Sequence, residues 1–263
     1  VADRAAVLDF YNGITNETEP GAISAKVADA KRAADATISL NMPQTGKFYR
    51  FKGSNHNRRL YASTVTVDSK PRLAMGDDTE RNLSTSVYYY DGSHLISYET
   101  GLALGAFAQN DMDTWQLVSA GEPGANVAFS EGNNAGQFYI TLNGNRRIYH
   151  ASTTTIDETV YGYVDAGGSG STGANYSWTI EEVEYLPINV NYNSEKYATF
   201  ISPVALILKD KVAAYTGKIQ NNALVLTPVE GVIPANTAVV LKAEEGVDRG
   251  ADDKVYLQVT GDP

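Results

Sequence analysis

The sequence predicts a mainly β chain: a β-trefoil preceded by a short helical hairpin and followed by a small all-β, sandwich-like domain. Three observations carry that prediction. First, Phe48-Tyr49 followed by Asn57-Arg58-Arg59-Leu60-Tyr61-Ala62-Ser63 returns as Phe138-Tyr139 followed by Asn145-Arg146-Arg147-Ile148-Tyr149-His150-Ala151-Ser152, so the two Phe positions stand 90 residues apart. A fixed internal period marks a repeat architecture. If that interval holds two repeats, a middle copy opens near residue 93, where His94-Leu95-Ile96-Ser97-Tyr98 and Gly101-Leu102-Ala103-Leu104 keep the apolar rhythm. Second, residues 44–187 read as short strands punctuated by turns, in three units of about 45 residues. Third, the repeat ceases at Pro187.

Residues 1–43 read as a helical linker. Ala5, Leu8 and Tyr11 share a helix face that ends at Asn12-Gly13, a C-cap pair. Ile23, Val27, Ala30 and Ala34 then form an apolar stripe at helical spacing. The stripe is mostly Ala and too thin to stand alone, so it is expected to join the trefoil to something N-terminal.

In the trefoil segment, 44–187, the clearest strands are Phe48–Phe51, Arg59–Ala62, Ser86–Tyr90, Thr114–Val118 and Trp178–Val183. Gly53-Ser54-Asn55, Asp91-Gly92-Ser93, Gly121–Gly124, Gly132-Asn133-Asn134 and Asn143-Gly144-Asn145 supply the turns. The run Gly167–Gly173 is expected to be a surface hairpin tip inside the third lobe.

Residues 188–263 form the second β unit. Lys218-Ile219-Gln220 and Leu224-Val225-Leu226 flank Asn221-Asn222 as a hairpin, and Gly231–Thr237 turns into the strand Ala238–Leu241. The last strand-like run, Val255–Val259, stands just before Gly261-Asp262-Pro263, which reads as a truncated end.

Composition narrows the function. The chain has 263 residues, 43% hydrophobic and 20% charged, enough for a sizeable core. Its net charge of −10 disfavours nucleic acid, which demands clustered cations, and an anionic membrane surface as well. No cysteine is present, which excludes disulfides and thiolate metal sites. No apolar run approaches the roughly 20 residues of a membrane helix. No signal peptide is read, and the start at Val1 implies a removed upstream segment.

Tyrosine is the compositional outlier, with 17 residues against 7 Phe and 2 Trp. Its flat face and hydroxyl suit wet binding surfaces, and it also favours strands. The best binding candidate is Tyr88-Tyr89-Tyr90. Strand alternation sends Tyr88 and Tyr90 to one face and Tyr89 to the other, so one side is core and the other offers a stacking platform for a sugar ring. Tyr98 extends that platform, and Asn55, His56 and Asn57 supply hydrogen bonds. The competing reading is a packed trefoil with a Tyr-rich rim.

Catalytic patterns are missing. His56, His94 and His150 read as surface or turn residues, and none forms a zinc-type pair. Glu181, Glu182 and Glu184 read as a solvated strand face rather than an acid/base pair across a cleft. The acidic clusters Asp77-Asp78 with Glu80, Asp111 with Asp113, and Asp248 with Asp252-Asp253 lack a calcium-loop pattern. The duplicated Arg58-Arg59 and Arg146-Arg147 pairs read as one Arg over an aromatic ring and one solvated. No cofactor is called for.

These residues give residues 44–187 a resemblance to the ricin-type β-trefoil. Tyr88–Ile96 followed by Thr100-Gly101-Leu102-Ala103-Leu104 follows that family's lobe-end rhythm, with Trp115 and Trp178 as the other two lobe-end aromatics. The resemblance implies a lectin-like binding scaffold. The chain departs from the family where its sugar-gripping Asp stands: those positions hold Ala62 or Ser63, Gly105 or Ala106, and Ala151 or Ser152. The helical linker, trefoil and tail together are also similar to C-terminal regions of exported or surface proteins of gut bacteria, many of them glycan-processing. The expected role is therefore a non-catalytic carbohydrate-binding or accessory module, secreted or at the bacterial cell surface. Its partners would be glycans and an upstream domain of a larger protein, with no nucleic acid and no membrane insertion. The alternatives are a structural or protein-interaction spacer and a C-terminal fragment of a larger glycoside hydrolase.

Overall fold

The computed structural model describes residues 42–55, 58–67, 69–76, 84–108, 114–156, 159–168, 170–190, 196–250 and 252–260. All but the last two residues of the predicted helical linker lie outside these.

Each lobe contributes four strands. The first holds β1 (Lys47–Gly53), β2 (Arg59–Val67), β3 (Lys70–Gly76) and β4 (Tyr88–Tyr90). The second holds β5 (Leu95–Ser97), β6 (Leu104–Ala108), β7 (Thr114–Leu117) and β8 (Val127–Glu131). The third holds β9 (Phe138–Leu142), β10 (Arg146–Ile156), β11 (Thr159–Gly168) and β12 (Ser177–Glu182). The outer strands of the lobes close a ring: β4 pairs with β1 and β5, β1 with β12, β12 with β9, and β9 with β8. A bond from Val127 N–H to the Ser93 carbonyl, 2.7 Å, ties β8 to the turn that leads into β5. The inner strands form the hairpins β2–β3, β6–β7 and β10–β11, which meet through Arg72 opposite Gln116 and Gly162 opposite Met75. Six barrel strands capped by three hairpins make a β-trefoil, and ring closure removes the free edges that invite aggregation.

The repeat is legible in the core. Leu60 and Ile148, equivalent positions in the first and third lobes, are both fully buried. Leu95, Leu104 and Leu117 fill the second-lobe share of the same cluster, with Phe51, Tyr88, Ile140 and Trp178. Trp115 is also buried there, but it sits on β7 of the cap. The strand that ends the second lobe is β8, where Phe129 takes the aromatic place and stacks parallel to Phe51 at 6.2 Å. The turn Gly121–Gly124 comes between the two strands. Its Gly124 lies so close to β6 that a Cβ there would stand 2.6 Å from the Ala103 methyl.

His150 corrects another expectation. It is fully buried, edge-on to Trp178 at 4.8 Å, with Nε2 3.1 Å from the Ser177 carbonyl. A Cβ on Gly53 would reach 2.9 Å from its ring, so the end of β1 has a glycine where the imidazole enters. The Gly167–Gly173 run is not a hairpin tip either: Gly167 and Gly168 end β11, paired with Arg147 and Arg146, and the next strand, β12, pairs with β1 and β9.

Val183 and Glu184 alone separate β12 from the second unit. That unit contains β13 (Tyr185–Ile188), β14 (Tyr197–Phe200), β15 (Leu206–Ile207), β16 (Val212–Gln220), β17 (Ala223–Val229), β18 (Val232–Ile233), β19 (Val239–Ala243) and β20 (Val255–Val259). They form two four-stranded sheets, β13-β20-β15-β18 and β14-β19-β16-β17. Alternation turns Leu186, Leu206, Leu241, Val255 and Leu257 inward, all fully buried. The β16–β17 hairpin turns on Asn221 and Asn222, both with positive φ, 49° and 61°, the geometry of a type I′ turn.

The first lobe contributes to the core of the second unit. Phe48 and Val87 of the first lobe belong to the apolar cluster of the second unit, and Tyr89 and Tyr98 pack against it. Val183 N–H donates to the Phe48 carbonyl at 2.8 Å, so the link between the units is pinned to β1.

Candidate functional site

Alternation along β4 decides what its tyrosines can do. Tyr88 points into the barrel and is fully buried, its ring 5.8 Å from Phe51. Burial, then the neighbouring Tyr61, pushes its hydroxyl pKa up. Tyr90, on the same side, lies edge-on to Phe129 at 5.3 Å and donates to the Gly92 carbonyl. Tyr89 points the other way, 5.1 Å from Phe48. Tyr98, directly after β5, stands edge-on to Phe48 at 5.7 Å, and its hydroxyl donates to the Pro187 carbonyl at 3.0 Å. Burial first, and Glu99 second, raise the Tyr98 pKa, so this hydroxyl stays a neutral donor.

Tyr89 and Tyr98 thereby form one wall of a cleft between the trefoil and the second unit. The second unit contributes Thr199, Phe200 and Ile201 to the lining, with Asn189, Glu99 and Lys254, and the volume is about 510 Å³. The Lys254 ammonium donates to Ser84 Oγ across the interface. Phe48, Tyr89 and Pro203 also border a second cavity of about 740 Å³. Its lining is more polar: Gln44, Lys47, Glu182, Glu184, Asn236 and Thr260, with Lys47 and Glu182 paired at 2.8 Å. Aromatic faces beside a few carboxylate, amide and ammonium groups suit a ligand with both an apolar face and many hydroxyls.

Of the expected tyrosine platform, the structure keeps the Tyr89 face with Tyr98. Tyr88 is withdrawn into the core, Tyr90 serves the barrel rim, and only Tyr89 and Tyr98 reach the cleft. The reason is that both faces of β4 are covered, one by the barrel and one by the second unit. Asn55 lies elsewhere, in the turn after β1, where its amide donates to Asn175 Oδ1 at 2.6 Å and Asn175 in turn donates to the Tyr149 hydroxyl. His56 and Asn57 lie outside the described residues. Phe200, Thr199 and Lys254 carried no sequence signal, because they come from a different unit and meet the tyrosines only through the fold.

The other candidate groups have structural partners. Arg59 is buried and forms a bidentate pair with Glu181 at 2.8 and 3.1 Å, so Glu181 is not simply solvated. Its repeat equivalent, Arg147, lies over the Tyr139 ring at 3.9 Å. Asp248 pairs with Lys209, Asp252 accepts from the Tyr256 hydroxyl, and Asp253 pairs with Arg249. The Asp77–Glu80 and Asp111–Asp113 clusters lie outside the described residues. Among the described residues, no three His, Asp or Glu groups gather to hold a metal ion, and no helix is long and apolar enough to cross a membrane.

No protein-family model matches the sequence, and no curated protein matches it either. Among solved structures, the chain is similar to a ricin B-like lectin of Macrolepiota procera in complex with lactose, at 17% identity over 54% of this chain and 99% of that one, TM-score 0.42. It is similar to an earthworm lectin C-terminal domain mutant in complex with 6'-sialyllactose, at 14% identity over 52% of this chain and 99% of that one, TM-score 0.38. A third similar structure is Cry35Ab1, at 9% identity over 84% of this chain and 89% of that one, TM-score 0.38. The strand order described above, rather than these likenesses, defines the trefoil.

Proposed function

We propose that this chain is a non-catalytic carbohydrate-binding module, accessory to a larger exported bacterial protein and working outside the cell or at its surface. The observation that carries this reading is the cleft between the units, where Tyr89, Tyr98 and Phe200 line a cavity of about 510 Å³. Tyrosine rings present flat apolar faces to the C–H side of a sugar. Thr199, Asn189, Glu99 and Lys254 offer donors and acceptors for its hydroxyls. Two of the similar trefoils are lectins whose structures hold lactose and 6'-sialyllactose.

The test is a glycan array run with the native chain and with Tyr89→Ala and Phe200→Ala, each checked for native folding by near-UV circular dichroism. A specific glycan lost in both variants supports the cleft. A folded chain with no glycan partner, or one whose binding survives both changes, overturns it.

A second reading has its own observation. The first lobe and the second unit share a continuous core through Phe48 and Val87, which suits a rigid spacer in a multidomain protein. A blank array from folded protein favours that spacer.

A further inference from the structure

The sheet β13-β20-β15-β18 buries one face and leaves the other open. Leu186, Leu257 and Leu206 point inward. Register sets Tyr185 beside Gln258, Gln258 beside Ile207, and Ile207 beside Val232, one row across all four strands on the outer face. All four are exposed, Gln258 with Tyr185 at 48%, Ile207 at 39% and Val232 at 41%. The row is not flat. The loop from β19 to β20 folds against Tyr256, so closely that a Cβ on Gly250 would stand 2.5 Å from the ring. With Lys209 and Asp248 it walls a depression of about 370 Å³ over Tyr185, Ile207, Tyr256 and Gln258.

The polar groups around this depression are held in place. Lys209 Nζ donates to both the carboxylate and the carbonyl of Asp248, at 2.8 and 3.1 Å. The Tyr256 hydroxyl donates to Asp252 at 2.9 Å. The Asp248 side chain is 86% exposed, so its second oxygen is open to a hydroxyl donor.

We propose that this depression is a second saccharide site, separate from the cleft between the units, which takes one or two neutral pyranose rings. Tyr185 is the stacking face, and the Asp248–Lys209 pair and the Gln258 amide engage ring hydroxyls. Carboxylate and ammonium side by side present an acceptor and a donor at the spacing of vicinal hydroxyls. An anionic sugar is disfavoured, because the one lysine here is already neutralised and the exposed charge is Asp248. The volume stands at the small end of the roughly 300–1,000 Å³ of ligand pockets, which limits the occupant to a short saccharide. Two sites on one chain would add avidity toward a polymeric glycan without tight binding at either.

The test is calorimetric titration of the whole chain with mono- to tetrasaccharides of glucose, galactose and mannose, and with sialyllactose and a uronate disaccharide. The variants are Tyr185→Ala, Asp248→Ala and, as the control for the cleft, Phe200→Ala. The expected result is a neutral saccharide whose affinity falls about tenfold or more in Tyr185→Ala and Asp248→Ala and holds in Phe200→Ala. Because the Asp248 side chain is so exposed, its variant keeps the fold and isolates the contact. Binding abolished only by Phe200→Ala, binding of acidic saccharides alone, or no neutral saccharide bound overturns the second site. The first of those outcomes leaves the cleft standing; the last leaves the cleft to the array.

Discussion

Replacing Phe48 by alanine tests whether the trefoil and the second unit fold as one body. The ring is 2% exposed and stands where the two units meet: Tyr89 at 5.1 Å, Tyr98 edge-on at 5.7 Å, and the apolar cluster of the second unit around them. Truncating a buried Phe costs about 3–5 kcal/mol, a figure that includes aromatic pairs worth about 0.5–1.5 kcal/mol each. For a cooperative unit of this size, each kcal/mol shifts the midpoint by about 2–4 °C, so a drop of roughly 6–20 °C is expected. The loss falls on the contact between units, so the second unit should also melt apart from the trefoil. Scanning calorimetry reads both effects. The control is Phe138→Ala: Phe138 is the repeat equivalent, equally buried, but outside the shared cluster. The control should lower the midpoint and keep one transition, whereas Phe48→Ala should split it in two. A Phe48→Ala scan with one transition, lowered no more than the control, refutes the idea that this ring couples the units.

Three further outcomes follow from named contacts. Gly53→Ala places a Cβ 2.9 Å from the His150 ring and should cost about 1–3 kcal/mol in denaturant unfolding, with altered Trp178 fluorescence because His150 leans on that indole; an unchanged midpoint would show that the imidazole moves freely. Asn222→Gly, at φ 61°, suits the type I′ turn better than Asn and should raise stability by a few tenths of a kcal/mol, whereas Asn222→Val should lower it; equal midpoints for Gly and Val would mean the hairpin is uncoupled from the sheet. The Tyr256 hydroxyl, pushed up to about 12 by burial and then by Asp252, favours the neutral form in the fold. Its folded value lies above the unfolded value of about 10, so its stabilisation is complete below about pH 10 and is lost as pH climbs toward the folded value. Asp252→Asn should bring that ionisation down in a tyrosinate absorbance titration; no movement would remove Asp252 as a cause.

The sequence by itself determined the trefoil. The recurrence of Phe48-Tyr49 and Arg59-Leu60-Tyr61 at Phe138-Tyr139 and Arg147-Ile148-Tyr149 is a property of the chain, because each copy buries its Phe-Tyr pair and sets Leu60 or Ile148 into one cluster. The middle lobe could be located for the same reason, and so could the Asn221-Asn222 hairpin, whose two positive φ values are a local demand on two residues. Local pattern also gave the alternation of Tyr88, Tyr89 and Tyr90. It could not say that both faces would be covered, because the cover over Tyr89 is supplied by residues about a hundred positions later. The same holds for Arg59, whose pair was read as one Arg over an aromatic ring and one solvated and which is found buried on Glu181, and for His150, read as a surface or turn residue and found beside Trp178. In each case the deciding partner is distant in sequence, and only the closed barrel and the packed second unit bring it within reach. The cleft of Tyr89, Tyr98 and Phe200 is the largest consequence: its chemistry was present in the tyrosine excess, but its place was set by a contact between two units that no local period encodes.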